Sequence, residues 1–266
     1  MANENGTWIM RGLSWDDPYR IRSWQELVNW VNEIGFLPLF ANDITGFSAE
    51  EHVSTNYWWT GDKEQDPWEW REIIAASHKV AYGKFFGGKA GFISKTWLPY
   101  FANYRCNGYD FDSRYEDGLA TYREKVIMDY YIGQDNNGDM VYKHDEILST
   151  ELKKMAGFGK GGLKNYPGII TGLQMQLYLV ITDFQRRKNK KGAEYGMSVS
   201  VMFPPETIWG YDLVTSAYSE ESVESWQRIV NHVKKLYPDS TESALNGLIG
   251  KKPIDCRTIS VIAVVE

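Results

Sequence analysis

Cysteine is scarce in this chain: Cys106 and Cys256 stand far apart and in unrelated contexts. That excludes a disulfide framework and a thiolate zinc site, and makes a reducing cytoplasm the expected setting. Histidine is equally sparse, with His52, His78, His144 and His232 scattered. No metal-ligand spacing arises, so neither a metal nor a cofactor is expected. No apolar run approaches the ~20 residues needed to span a bilayer, so no membrane partner is expected. The opening "MANENGTWIM" lacks the basic stretch and apolar core of a secretion signal, which again favours the cytoplasm. Also missing are a G-x-S-x-G elbow, an H-E-x-x-H pair and a Cys/His pair that can be placed together. The chain carries no self-evident catalytic apparatus.

What is present is aromatic weight. Of 266 residues, 15% are aromatic and 43% hydrophobic, enough for a sizeable core in one large domain or two small ones. Tryptophan is unusually frequent and concentrated early, at Trp8, Trp15, Trp24, Trp30, Trp58, Trp59, Trp68, Trp70 and Trp97. The net charge of −6 predicts solubility and opposes blanket nucleic-acid binding, but does not govern local patches.

Capping patterns mark the first half as helical. "SWQE" at residues 23–26 is a capping box before apolar residues at helical spacing, and Gly35 stops the helix. "SAEE" at 48–51 repeats the pattern. "DPWE" at 66–69 combines an acidic cap with proline at the first helical position. Further helices are expected over 94–104 and 115–131. "GQDNNGDMVYK" predicts a hairpin around Asn-Gly. A short helix over 149–157 and a second over 169–179 follow. Then "YLVITDFQRRK" and "AEYGMSVSVMF" read as two strands joined by the turn "NKKG", and a last amphipathic helix ends at Pro238.

Helix, helix, strand, basic turn, strand is the order of a winged helix-turn-helix, whose hairpin wing lies against the DNA backbone. Five of the six residues over 186–191 are cationic: Arg186, Arg187, Lys188, Lys190 and Lys191. Such a cluster can hold phosphates by counterion release within an acidic whole. Lys153, Lys154, Lys160 and Lys164 precede the second helix and add to the same field, and Gln174 on that helix is the candidate for reading a base edge. The plain alternative is a solvated tip, kept charged against edge-to-edge pairing. The expected fold class is α+β, mainly helical, with a tandem winged-helix-like architecture and short β-hairpins. Its expected divisions are a Trp-rich helical region over 1–112, a winged-helix domain over 113–210, C-terminal helices over 211–250, and an unassigned stretch over 251–266.

Other constellations have simpler readings. "GKFFGGKA" at 83–90 imitates a phosphate loop, but Ala90 stands where Ser or Thr would meet magnesium. A glycine-bent hairpin with exposed Lys84 and Lys89 describes it better. Asp135, Asn137, Asp139 and Glu146 match calcium-loop positions, yet Met140 replaces the obligatory glycine. Asp110, Asp112, Glu116 and Asp117 suit the cap and first turn of a helix, with Asp112 or Ser113 capping. Trp58, Trp59, Trp68 and Trp70 form a core or interdomain seam, or else a stacking surface for bases or sugars. Trp68, Trp70 and Arg71 are the candidate lining of a pocket. The alternative function is therefore a non-catalytic binding protein for a small ligand or protein partner in that pocket.

The stretches "ILSTELKKMAGFGKGGLKNYPGIITGLQMQLYLVITDFQRRKNKKGAEYGMSV", "PWEWREIIA", "YGKFFGGKAGFISKTWLPYFANYR" and "GYDFD" resemble the AlkZ-related group of proteins. That group is similar in turn to the AlkZ-type DNA glycosylases. The resemblance implies tandem winged-helix elements, a double-stranded DNA partner and a setting in DNA repair. The glycosylases release alkylated bases and unhook crosslinks with a Gln-apolar-Gln or Gln-apolar-Asp motif. Here Leu37-Pro38-Leu39 stands at the matching place, and Arg71 follows Trp68-Glu69-Trp70 where those enzymes carry a histidine. The resemblance thus implies the build more than the chemistry, and the acids on offer are Glu69 and Asp43.

Overall fold

The computed structural model of the chain describes residues 2–4, 7–138 and 140–253. Cys256, Asp139 of the calcium-like spacing and all but the start of the 251–266 stretch lie outside the described residues.

A short antiparallel pair, β1 (Ala2–Glu4) and β2 (Thr7–Ile9), precedes the first helix, α1 (Trp24–Ile34). The Ser23 hydroxyl accepts the Glu26 N–H at 3.2 Å, and the Glu26 carboxylate accepts the N–H of Arg22 at 2.7 Å. The apolar stripe Leu27, Val28 and Val31 is buried. Gly35 ends the helix with φ +92, and a Cβ there would meet the Trp97 indole nitrogen at 2.4 Å. Glycine is required on both counts.

Strand β3 (Phe36–Pro38) follows, then α2 (Pro67–Ser77), β4 (Val80–Phe86), β5 (Lys89–Ser94) and α3 (Leu98–Cys106). The expected 83–90 hairpin forms, turning at Gly87 and Gly88, with Lys84 and Lys89 exposed. The helix expected over 115–131 is instead two: α4 (Phe111–Glu116) and α5 (Tyr122–Met128). Gly118 at φ +72 breaks the run, and Thr121 with Glu124 forms a capping box that starts α5 afresh. Asp110, rather than Asp112 or Ser113, occupies the N-cap of α4.

The Asn-Gly hairpin is present as β6 (Ile132–Gln134) and β7 (Met140–Tyr142). Next come α6 (Ser149–Met155) and α7 (Tyr166–Met175), then β8 (Val180–Lys188) and β9 (Glu194–Phe203). The α7 helix starts earlier than 169 because Pro167 occupies its first turn, and it is finished before Leu177, which turns to φ +62. The chain closes into α8 (Pro205–Trp209), α9 (Tyr211–Val214), α10 (Ser222–Leu236) and α11 (Glu242–Leu248).

The fold is α+β. Its five-stranded sheet has the order β3-β5-β4-β8-β9, antiparallel throughout. One apolar cluster joins α1, β3, α2, β4, β5 and α3 with α10 and α11, and Phe36, Phe47, Phe85, Phe86, Phe92 and Phe101 are fully buried in it. Each such ring contributes about 1.5–3 kcal/mol on burial. A second cluster joins α4 to α7 with the foot of β9, through Ile127, Leu152, Leu173, Leu179 and Val201. Ile181 of β8 packs against both clusters and pairs with Tyr82 of β4. The seam between the cores therefore runs through the start of β8.

Candidate nucleic-acid interface

The hairpin β8–β9 leaves the core as it lengthens. Val180 and Thr182 are buried, residues 183–185 are half-buried, and residues 186–197 are exposed. The sequence explains the gradient: apolar residues fill the foot, and cations and small polar residues fill the tip. A turn over 189–193 is held by the Asn189 carboxamide, which accepts the N–H groups of Lys191 at 2.8 Å and Ala193 at 3.1 Å. Gly192 supplies the positive φ of 80°. Arg186, Arg187, Lys188, Lys190 and Lys191 are thus brought together at one exposed tip. Lys188 lies opposite Glu194, and the Arg187 guanidinium sits 5.1 Å from the Tyr195 ring.

The foot of this hairpin is fastened to α2. Asp66 caps that helix by accepting the Trp68 N–H at 2.8 Å, and Pro67 starts it. The Arg71 guanidinium is sandwiched between the rings of Trp68 at 3.7 Å and Phe184 at 4.4 Å. It also bonds Glu72 at 2.9 Å, and the Glu72 carboxylate accepts the hydroxyl of Ser198 on β9. Arg71 is only 5% exposed, so this cation–π sandwich and ion pair are largely screened from water. Glu69, half-buried beside them, has its carboxyl raised above the ordinary value. Burial is the main cause, with Glu72 and Asp66 adding to it, while Arg71 and Arg186 oppose it.

The aromatic residues divide. Trp70 is 1% exposed and donates its indole N–H to the Glu64 carbonyl at 3.2 Å, which makes it a core residue. Trp68 is half-buried and belongs to a surface group with Phe40 at 6.3 Å and Trp59 at 6.5 Å. Trp59 remains 48% exposed. Of the expected pocket lining, then, Trp68 and Arg71 meet at the hairpin and Trp70 does not.

Lys160 and Lys164 are exposed in the loop between α6 and α7. Gln174 is 2% exposed, and both ends of its amide are engaged: Oε1 accepts the Lys84 N–H at 3.1 Å and Nε2 donates to the Ile170 carbonyl at 3.1 Å. It ties α7 to β4 and faces the interior. Asp43 is exposed elsewhere, lining a separate cavity of about 360 Å³ with Ile44 and Tyr237. Leu37 and Leu39, at and just beyond β3, are fully buried.

Sequence reasoning passed over Phe184, Glu72 and Ser198, which join the hairpin to α2. Only the β-alternation of "ITDFQ" could have singled out Phe184, and nothing local marks its partner on a helix over a hundred residues earlier. Among the described residues, no group of three or more His, Cys, Asp or Glu could hold a metal ion, and no helix is long and apolar enough to cross a membrane. No curated protein and no solved structure matches the chain. The family model described as AlkZ related matches residues 21–250, and the chain belongs to the AlkZ-related family.

Proposed function

We propose that this protein binds double-stranded DNA through a winged-helix module and works in DNA repair. One observation carries the reading: five cations stand at an exposed hairpin tip whose foot is locked to α2 by Arg71 and Glu72. A locked foot limits the conformational freedom the tip would lose on meeting a phosphate backbone. The module consists of α5, a single antiparallel bridge from Leu148 to Val201, then α6, α7, β8 and β9. That bridge brings the residue before α6 beside β9 near the foot of the hairpin, which supports reading the two helices and the hairpin as one module. Lys160 and Lys164, at the approach to α7, extend the positive field, and membership of the AlkZ-related family supports the repair setting.

The test is fluorescence anisotropy on a short duplex across a salt series. Wild-type affinity should fall steeply with salt, and each cation-to-alanine change at Arg186, Arg187, Lys188, Lys190 or Lys191 that removes a phosphate contact should lower the slope by about 1. A wild type whose binding ignores salt refutes the proposal. Chemistry is a separate matter. Of the two acids, Glu69 stands at the hairpin and Asp43 does not. Base release from alkylated duplex that persists in Glu69→Gln removes Glu69 as the acid, and no release by the wild type restricts the function to binding.

A further inference from the structure

We infer that the protein selects its DNA by an unpaired base, stacked on the exposed ring of Trp59, and not by sequence. The inference rests on the DNA-binding reading above.

Sequence selection needs side chains that reach base edges: Arg or Lys to guanine, Asn or Gln to adenine. The exposed or half-exposed positions of α7 are Pro167, Gly168, Ile169, Thr171, Gly172, Met175. Thr171 is the polar side chain among them, and Lys84 already bonds its hydroxyl at 3.4 Å. The β4–β5 turn covers that side of the helix, since a Cβ at Gly88 would sit 3.5 Å from Thr171 and 3.9 Å from Met175. Gln174, the amide suited to adenine, is buried and engaged at both ends. The hairpin cations suit phosphates, and phosphate contacts position a protein without carrying sequence information.

Trp59 has the opposite character. It is 48% exposed, although it belongs to a cluster in which Trp58 lies 5.7 Å away and Trp68 6.5 Å away. Its backbone is held at φ +61, a region that bulky residues rarely adopt, in the turn that follows the 3-10 segment Thr55–Tyr57, and that turn sets where the ring stands. The ring next to it is anchored in turn, because Trp68 stacks on the Arg71 guanidinium, which also lies over Phe184 of the hairpin. The open ring is therefore joined, through Trp68 and Arg71, to the strand that carries the tip cations. Every base offers a π-face, so such a ring accepts any base free of its stack. A continuous duplex offers none.

Anisotropy with three labelled DNAs tests this: a perfect duplex, the same duplex with a single-nucleotide bulge, and a perfect duplex of scrambled sequence. The bulged DNA should bind roughly 5- to 150-fold tighter than the perfect one, the range of a single base–aromatic stack. The two perfect duplexes should agree within about threefold. Trp59→Ala should abolish the bulge preference and leave perfect-duplex affinity unchanged, while Trp59→Phe, which keeps a ring, should retain most of the preference. Equal wild-type affinity for bulged and perfect DNA overturns the inference, as does a preference that Trp59→Ala leaves intact or a strong preference between the two perfect sequences. Each of those outcomes leaves duplex binding standing. Absence of salt-dependent binding to all three DNAs overturns the parent reading and this inference with it.

Discussion

Two hairpins of one sheet, β4–β5 and β8–β9, share a design and differ in fate. Both turn on glycine, both carry lysine, and β4 and β8 are neighbours in the sheet. Yet β4 is buried at every position but Lys84, and a Cβ at Gly87 in its turn would meet the Gly247 carbonyl oxygen at 2.6 Å. The β8–β9 tip meets nothing comparable: a Cβ at Gly192 would find no atom within 4 Å. A cation count cannot separate the two. What separates them is the apolar content of the strands, which drives one hairpin into the core and lets the other extend into solvent.

Disrupting the buried hairpin should have the largest effect. Phe86→Ala empties a fully buried ring site beside Phe36 and Phe101, so chemical denaturation should report a loss of about 3–5 kcal/mol. Truncation at the exposed tip should leave stability within about 0.5 kcal/mol, as surface changes usually do. A tip variant that unfolds as readily as Phe86→Ala would erase the distinction.

The next effect concerns the segment leaving β9. Glu206, in the first turn of α8, has its carboxyl pushed up to about 7, chiefly by burial, with Asp110 adding to the rise. A carboxyl raised in the folded state stabilises the fold fully below its ordinary value of 4.5, and that contribution is lost as pH rises through about 7. Melting temperatures of the wild type should therefore decline across that window, and Glu206→Gln should flatten the decline. An unchanged profile in the variant would mean that charge is tolerated there, as it is at the tip.

The smallest effect should come from Lys84→Ala and Lys89→Ala. If position on the projecting hairpin decides DNA contact, these changes should alter duplex affinity less than about twofold, against a clear loss for Arg187→Ala. Equal losses would show that the two hairpins serve one surface.

Sequence patterns located most elements of this fold because their determinants are local. Ser23, Asp66 and the "NKKG" turn act within a few residues of themselves. The failures have non-local or competing causes. Gly118 and the Thr121 capping box divided a helix whose apolar spacing suggested continuity. Gln174 has the chemistry of a base reader, and only the arrival of β4 against α7 turns it inward. Trp70 and Trp68 are two positions apart on one helix, so they face different directions, and the surroundings decide which is core. The candidate site was legible in its cations and its α2 aromatics, but not in the Phe184 and Ser198 contacts that unite them.

The pairing of Tyr82 with Ile181 also bears on how the chain is made. During synthesis β4 and β5 can pair at once, since a two-glycine turn joins them. The other edge of β4 must wait for residue 181, roughly 5–20 s later at ribosomal speed. Over that interval an apolar strand edge stands open, and such edges pair readily with foreign strands. The hairpin proposed as a DNA wing therefore has an earlier duty: its first residues close the sheet, and slowing their arrival should favour aggregation of the nascent protein.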